Sequence, residues 1–192
     1  MPNLVELDDR RVATVNLTPG RAIHREPLLW IDGREIRVMD PRRSKLAAMF
    51  VKGARTIPFG PKYHVLYLGA ANGTTASHVS DLVPQGRVYC VEFSARSFRD
   101  LLNVCEPRAN MIPIMGDAGR PDRYAAMVER VDTLYMDVSQ RNQAEIFLKN
   151  VRQFRPRHGI LMVKSRSIDV AREPKEVYAE VRAALEAEVR VV

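Results

Sequence analysis

The first 40 residues alternate apolar and polar positions in the way that is typical of half-buried β-strands. The segment RRVATVNLT places β-branched residues among others and ends at Pro19-Gly20, a turn signal. The segments LLWI and REIRVM flank Asp32-Gly33. Because both central residues of a tight hairpin turn need positive φ, this dipeptide predicts a β-hairpin. The chain therefore begins with a small unit of β structure.

From Ser44 the apolar positions recur with the period of a helix. Ser44 is a favourable N-cap residue, and Leu46 and Phe50 after it share one helix face. The change of period marks a domain boundary. We place a small N-terminal β domain in residues 1–43 and a second domain in residues 44–192.

After Lys62 short apolar runs alternate with amphipathic segments. The predicted strands are Tyr63–Leu68, Arg87–Val91, Met111–Met115, Val131–Tyr135, Ile160–Val163 and Val189–Val192. The predicted helices are the segment from GAANGTT through Leu82, then Ala95–Val104, Asn142–Phe154 and Pro174–Ala187. Strands that alternate with helices imply parallel βαβ units, with helices on both faces of one sheet. The second domain is therefore predicted to be α/β.

Length and composition are those of a folded protein. A chain of 192 residues suits one domain of ordinary size with a small appendage, and its content of 46% hydrophobic and 28% charged residues is globular. No apolar run approaches the roughly 18 residues of a membrane span, and the N-terminus lacks the apolar segment of a signal peptide. Cys90 and Cys105 cannot form a zinc site alone. We expect a cytoplasmic protein without a metal or a membrane association.

The net charge of +7 is concentrated towards the two ends of the chain. Residues 1–60 hold 11 Lys or Arg and 7 Asp or Glu, residues 61–140 hold 8 and 9, and residues 141–192 hold 11 and 7. Two basic flanks around a near-neutral centre can attract a polyanion such as RNA or DNA, or they can simply keep the surface soluble. Charge alone leaves both interpretations open.

A polar residue or a glycine follows five of the predicted strands. These residues are Gly69, Glu92, Asp117, Asp137 and Lys164. In an open parallel sheet, ligands bind outside the carboxyl ends of the strands. Any one of the five has a simpler explanation as a turn residue, but five along one edge are better explained by a site.

The loop after the first of these strands differs from the common phosphate-binding loops. It has neither G-x-G-x-x-G nor G-x-x-x-x-G-K-[ST]. It offers the side chains of Asn72, Thr74 and Thr75 instead, which suits a carboxylate-bearing ligand such as the methionine part of S-adenosylmethionine. Glu92 is placed to accept hydrogen bonds from two ribose hydroxyls, although it could also be a carboxylate that stabilises a helix N-terminus. Asp117 could hold an adenine amino group.

The strand ends lie within longer motifs, which are YLGAANGTTASHVSDLV, VEFSARSFRDLL, PIMGDA, LYMDVSQ and VKSRSID. Together with EIRVMDPRRSKLAAMF, they resemble the archaeal form of the fibrillarin family, whose members are RNA ribose 2′-O-methyltransferases. The resemblance covers nearly the whole chain. It implies a Rossmann-like class I methyltransferase sheet, mostly parallel with helices on both faces, together with a small N-terminal β domain.

The resemblance also implies a set of contacts to S-adenosylmethionine. The implied contacts are Gly69, Ala70, Thr74 and Thr75 for the methionine part, Glu92 for the ribose, Phe93, Asp117 and Ala118 for the adenine, and Asp137 and Gln140 near the methyl group.

Three residues match the family's catalytic Lys-Asp-Lys-His set, namely Lys45, Asp137 and Lys164. A ribose 2′-hydroxyl is a weak nucleophile that must lose its proton as it attacks the methyl group. One lysine could take that proton, and a protonated lysine could stabilise the developing oxyanion. The sequence does not decide which lysine is the base.

The fourth member of the set, a histidine, has no counterpart in this chain. In the family it lies between two antiparallel strands that complete the sheet, whereas His24, His64, His78 and His158 match other positions. The resemblance therefore implies that the methyltransferase domain is C-terminally incomplete. We expect lower stability or more self-association than in longer relatives.

By resemblance, the partners are a guide RNA, a target rRNA or tRNA, a Nop-domain scaffold protein and a kink-turn-binding ribosomal-type protein of a box C/D ribonucleoprotein. Base pairing to the guide would then choose the target. Two alternatives stay open at this point. One is a cofactor-binding structural subunit of the same particle with weak or no catalysis. The other, which the loop sequence disfavours, is a nicotinamide-dependent oxidoreductase.

Overall fold

The computed structural model describes residues 3–8, 11–54 and 57–192, and the strands of these residues form two sheets. The smaller sheet is antiparallel with the order β1-β2-β4-β3, and its strands are β1 (Leu4–Asp8), β2 (Arg11–Val15), β3 (Leu28–Ile31) and β4 (Arg34–Val38). Asp32 and Gly33 have φ values of 50° and 73°, which confirms the predicted hairpin turn. Strand β1 had no counterpart in the prediction.

The helix α1 (Lys45–Val51) follows the smaller sheet. The side chain of Ser44 accepts a hydrogen bond from the backbone N–H of Ala47, as expected for an N-cap. Leu46 and Phe50 are buried. Because this apolar face is anchored, the first residue of the helix, Lys45, is held at a fixed place.

The larger sheet has five parallel strands in the order β7-β6-β5-β8-β9. They are β5 (His64–Leu68), β6 (Arg87–Glu92), β7 (Met111–Met115), β8 (Thr133–Met136) and β9 (His158–Leu161). The helices between and after them are α2 (Thr74–Leu82), α3 (Ala95–Cys105), α4 (Gln143–Phe154), α5 (Ser165–Ile168) and α6 (Pro174–Glu186), with two 3₁₀ turns at Pro121–Arg123 and Ala125–Met127. The strand order reverses between β5 and β8, which makes their carboxyl ends the expected place for a ligand.

Helices cover both faces of the larger sheet, as the sequence pattern predicts. Alternate residues of β5 point to opposite faces, so that Val65 and Tyr67 join one apolar core while Leu66 and Leu68 join the other. The first core includes side chains of α1, α2 and α3, and the second includes side chains of α4 and α6. In the described ranges, no helix is both long and apolar enough to span a membrane.

A buried ion network joins the smaller sheet to α2. Asp81 of α2 accepts hydrogen bonds from Arg37 of β4 at 3.1 Å and from Arg108, after α3, at 2.7 Å. All three side chains are fully buried. The hydroxyl of Thr14 in β2 donates to the same carboxylate at 2.7 Å. Asp81 therefore fixes the smaller sheet against the helix that follows the first loop of the larger sheet.

Two predicted strands near the end of the chain need correction. The structure forms β9 at His158–Leu161, two residues before the predicted Ile160–Val163. Val189–Val192, predicted as a strand, forms none. The backbone N–H of Val189 still bonds the carbonyl of Leu185, so this residue completes the last turn of α6. Val189 and Val191 are partly buried and pack against the second core without forming a ladder.

Candidate functional site

A cleft of about 440 Å³ opens at the carboxyl ends of the central strands. The backbone N–H of Asp137, after β8, bonds the carbonyl of Leu68 at 2.9 Å, and the N–H of Gly69 bonds that of Val91 at 2.9 Å. These bonds hold the loops after β5, β6 and β8 side by side. The cleft therefore lies where the strand order reverses, as expected for an open α/β sheet.

Gly69 allows the two central loops to touch. Its φ is +78°, and a Cβ at this position would lie 2.7 Å from the carbonyl oxygen of Asp137. A side chain would therefore push the loop after β8 away from the loop after β5. The glycine is required both by its backbone conformation and by this close approach.

Glu92 presents its carboxylate to the cleft from the end of β6. One oxygen accepts the backbone N–H of Ala71 at 2.7 Å, and the other accepts the N–H of Ser94 at 2.7 Å. Each oxygen keeps a lone pair for a further donor, such as a ribose hydroxyl. Phe93 beside it lines the cleft with 70% of its surface exposed, so an aromatic face is available for stacking.

Lys45, Asp137 and Lys164 meet at one end of this cleft. The Lys45 Nζ atom lies 2.8 Å from Oδ2 of Asp137, and the Lys164 Nζ atom lies 3.0 Å from Oδ1 of the same carboxylate. Lys164 also donates to the carbonyl oxygen of Asp137 and to the Ser139 hydroxyl, each at 3.0 Å. The predicted set is thus brought together, with one carboxylate between two ammonium groups.

The two lysines differ in their surroundings. The side chain of Lys45 is 46% exposed, whereas that of Lys164 is 23% exposed and that of Asp137 is 14% exposed. Lys164 is surrounded by three oxygens, but Lys45 is bound only by Asp137 within the described residues. Lys45 is therefore the less constrained of the two lysines.

Two buried tyrosines lie beneath the charged set. The rings of Tyr67 and Tyr135 stack with centroids 4.4 Å apart. Burial, followed by the neighbouring charge of Asp137, raises the pKa of Tyr135, and burial likewise raises the pKa of Tyr67 well above its usual value. Both phenols are therefore neutral at physiological pH and do not compete with Asp137 for the ammonium groups.

Gln140 and Ala118 also line the cleft. The amide of Gln140 donates to Oδ1 of Asp117 at 3.2 Å, and the same oxygen accepts the backbone N–H of Gly119 at 2.8 Å. Asp117 thereby connects the loop after β7 to the loop after β8.

The predicted site residues divide into two groups. Those that line the cleft are Gly69, Glu92, Phe93, Ala118, Asp137, Gln140 and Lys164. Those outside the lining are Lys45, Ala70, Thr74, Thr75 and Asp117. Lys45 reaches the cleft through Asp137, Ala70 and Thr75 are buried, and the Thr74 hydroxyl donates to Asn72. The cofactor contacts of both groups stay predictions.

Two polar residues of the site were missed by the sequence interpretation. Ser139 bonds Lys164, and Gln143 bonds the loops that carry the charged set. Ser139 lies within the motif LYMDVSQ, so proximity to Asp137 could have identified it. Gln143 opens a helix with no distinctive pattern around it, and only the structure shows that its amide points inward.

No histidine lines the cleft in the part of the chain that the structure describes. His78 instead bonds the Thr14 hydroxyl at 2.8 Å, next to the buried ion network. Burial lowers the pKa of His78 well below its usual value, which keeps the imidazole neutral. His78 therefore has a structural role.

The cleft fits S-adenosylmethionine in size and chemistry. A volume of about 440 Å³ is within the usual range for small-molecule sites. Glu92 offers acceptors for a ribose diol, and Phe93 offers a stacking surface. A second cavity of about 480 Å³ lies beyond β9 and contains none of the predicted site residues.

Known proteins are similar to this chain over most of its length. The fibrillarin family model matches residues 3–191. A relative from Methanosarcina acetivorans, named fibrillarin-like rRNA/tRNA 2′-O-methyltransferase, is 50% identical over 175 residues, which are 90% of this chain and 77% of that protein.

Two solved structures are also similar. Aeropyrum pernix fibrillarin in complex with natively bound S-adenosyl-L-methionine has a TM-score of 0.81 at 44% identity, over 96% of this chain and 82% of that one. A fibrillarin/Nop5p complex has a TM-score of 0.85 at 39% identity, over 99% of this chain and 88% of that one.

Proposed function

The chain belongs to the fibrillarin family, and from this premise we propose that it acts as the catalytic subunit of a box C/D ribonucleoprotein in which a guide RNA selects the target. It is an RNA 2′-O-methyltransferase that uses S-adenosylmethionine, with rRNA as its substrate. The observation that carries the catalytic assignment is the carboxylate of Asp137 between Lys45 and Lys164, at the edge of the cleft.

The reaction follows from these three side chains. When bound, S-adenosylmethionine would supply an activated methyl group on a sulfonium sulfur, and that sulfur would be the leaving group, as a neutral thioether, for an attacking oxygen. We assign Lys45 as the base, because it is the more exposed lysine with the fewer partners. Its ammonium group first releases a proton to solvent, and the neutral amine then takes the 2′-hydroxyl proton. Lys164 keeps its proton and stabilises the developing negative charge on the 2′-oxygen. Asp137 holds both side chains in position.

The test is transfer of a labelled methyl group to a guide-matched RNA in the reconstituted particle. We expect Lys45→Ala with Lys164→Ala to slow transfer by about 10²- to 10⁴-fold, the usual contribution of acid–base groups. Lys149→Ala is the matched control, since Lys149 pairs with Glu145 on the surface of α4 and, within the described residues, with no other acid. Full activity of the double variant would overturn the assignment.

Arginine variants separate the two roles. Arginine keeps a positive charge but does not give up its proton. Lys45→Arg should therefore lose about as much rate as Lys45→Ala, whereas Lys164→Arg should keep more rate than Lys164→Ala. The reverse order would make Lys164 the base.

The partners follow from the same family membership. The solved fibrillarin/Nop5p complex supports a Nop-domain scaffold protein as one partner. We extend this proposal to a guide RNA, a target rRNA or tRNA and a kink-turn-binding protein, since a mildly basic chain of net charge +7 suits RNA without choosing its sequence. Equal methylation of guide-matched and mismatched RNA would contradict guide-directed action. The cytoplasmic location stays a prediction from the sequence.

A further inference from the structure

Gln143 is a long polar side chain buried at the start of α4. It is the first residue of the helix, and only 1% of its surface is exposed. Burying an amide is costly unless its donors and acceptor are satisfied. The identity of its partners therefore shows what this residue does.

All partners of the Gln143 amide are backbone atoms of the two loops that carry the charged set. Its Oε1 accepts the N–H of Lys164 at 2.9 Å, and its Nε2 donates to the carbonyl of Lys164 at 3.3 Å. The same Nε2 donates to the carbonyl of Gln140 at 3.1 Å. One side chain thus fixes the loop after β8 against the segment after β9.

We call these hydrogen bonds of the Gln143 side chain the clamp. The clamp holds Lys164 just beyond the point where the pairing of β9 with β8 ends. Strand β9 ends at Leu161, and the bond from the N–H of Met162 to the carbonyl of Met136 continues the pairing by one step. Beyond it, the Gln143 amide bonds both the N–H and the C=O of Lys164, as a neighbouring strand would. The Lys164 side chain starts from this backbone and reaches Asp137 and Ser139.

We propose that Gln143 is a positioning residue for methyl transfer, which sets the Lys164 ammonium against Asp137 by clamping the backbone of Lys164. The inference rests on the proposed function for its kinetic consequence. Its structural consequence, the placement of one ammonium group, does not depend on activity. The two consequences are tested separately.

The kinetic test uses Gln143→Met, which keeps the length of the side chain and removes every hydrogen bond. We expect the single-turnover rate of methyl transfer in the reconstituted particle to fall by about 10- to 100-fold, because small displacements of a reacting group have effects of this size. The dissociation constant for S-adenosylmethionine should change less than about twofold, since Gln143 is not part of the cleft lining. Gln143→Glu, which keeps an acceptor for the Lys164 N–H, should be intermediate.

The matched control for a purely structural effect is Leu148→Ala on the same helix. Leu148 is buried in the second core, and no residue of the charged set belongs to that core. Its variant should lower the unfolding midpoint as much as Gln143→Met or more, while the rate of methyl transfer stays within about twofold. Equal loss of rate in both variants would show that Gln143 acts only through stability and would overturn the proposal.

The placement of Lys164 is measured directly by trace acetylation with acetic anhydride, read by mass spectrometry. In Gln143→Met we expect Lys164 to react several-fold faster relative to Lys149, while Lys45 keeps its relative rate. An unchanged rate for Lys164 would contradict the clamp whatever the activity. A wild-type chain without methyl transfer would contradict the proposed function, and the acetylation result would still decide the role of Gln143.

Discussion

Gly69 illustrates how much of the site depends on one missing methyl group. A Cβ would lie 2.7 Å from the carbonyl oxygen of Asp137, and the backbone has a φ of +78°. Gly69 therefore controls the distance between the loop after β5 and the loop after β8, which carries Asp137.

We expect Gly69→Ala to weaken S-adenosylmethionine binding by about tenfold or more, through displacement of the loop after β8 and a backbone strain of about 1–2 kcal/mol. Calorimetric titration checks this. Gly20→Ala is the matched control, because Gly20 has a φ of +80° and nothing within 4 Å of a built Cβ. It should share the strain and leave the affinity unchanged. Equal affinities for both variants would contradict the role of the close contact.

At the residue scale, sequence patterns identified the charged residues of the site better than the residues that hold them in position. Asp137 and Lys164 follow apolar strands, so their position at the carboxyl edge could be predicted. That Lys45 approaches Asp137 was implied only by the family resemblance, because the contact spans 92 positions in the chain. Gln143 was missed, because local pattern does not show whether a polar residue at a helix start faces solvent or backbone.

At the scale of elements, α2 depends on an anion within its buried face. Asp81 lies between Arg37 and Arg108. Asp81→Ala removes the carboxylate that pairs with two buried guanidinium groups. We therefore expect a loss of about 3–5 kcal/mol in the free energy of unfolding. Denaturant titration measures this loss.

A surface carboxylate provides the comparison. Asp122 pairs with Arg120 and Arg123 at an exposed 3₁₀ turn. Asp122→Ala should leave the denaturation midpoint unchanged, because exposed ion pairs contribute little. A loss for Asp81→Ala as small as that for Asp122→Ala would show that the network does not join the two sheets.

The predicted elements failed where tertiary contacts decide the outcome. β9 starts at His158 because Gly159 pairs with Leu134 of β8, although neither His158 nor Gly159 favours a strand. Val189–Val192 has the composition of a strand, yet Val189 completes the last turn of α6 and Val191 packs against the second core instead. An apolar composition predicts that a segment is buried. Whether the segment forms a strand depends on the neighbouring strand with which it can pair.

At the scale of the whole molecule, the stability should depend on pH through the loop after β2. Burial alone would raise the pKa of Glu26, but the backbone N–H groups of Ile23 and His24 and the Arg37 guanidinium outweigh it and lower the pKa to about 2. The folded state therefore favours the ionised form of Glu26 more than the unfolded chain does. This contribution, up to about 3 kcal/mol, is complete above pH 4.5 and disappears as the pH falls towards 2.

Denaturant titrations between pH 6 and pH 2.5 test this dependence. Glu26→Gln should be less stable than the wild type at pH 6, and the difference should shrink as the pH falls. A difference that stays constant with pH would show that the Glu26 charge is not the cause. His78, which is buried and neutral, adds a separate loss that begins near pH 6.5 in both proteins.

The charged set is assembled from two separate parts of the chain. The residues that line the cleft lie between positions 69 and 164, all on the larger sheet, whereas Lys45 comes from the segment that follows the smaller sheet. The cleft lining thus comes from one half of the molecule, whereas the Lys45–Asp137 ion pair needs both halves, which the Asp81 network holds together. A chain whose N-terminal half is displaced would therefore keep its cleft lining and lose the Lys45–Asp137 ion pair.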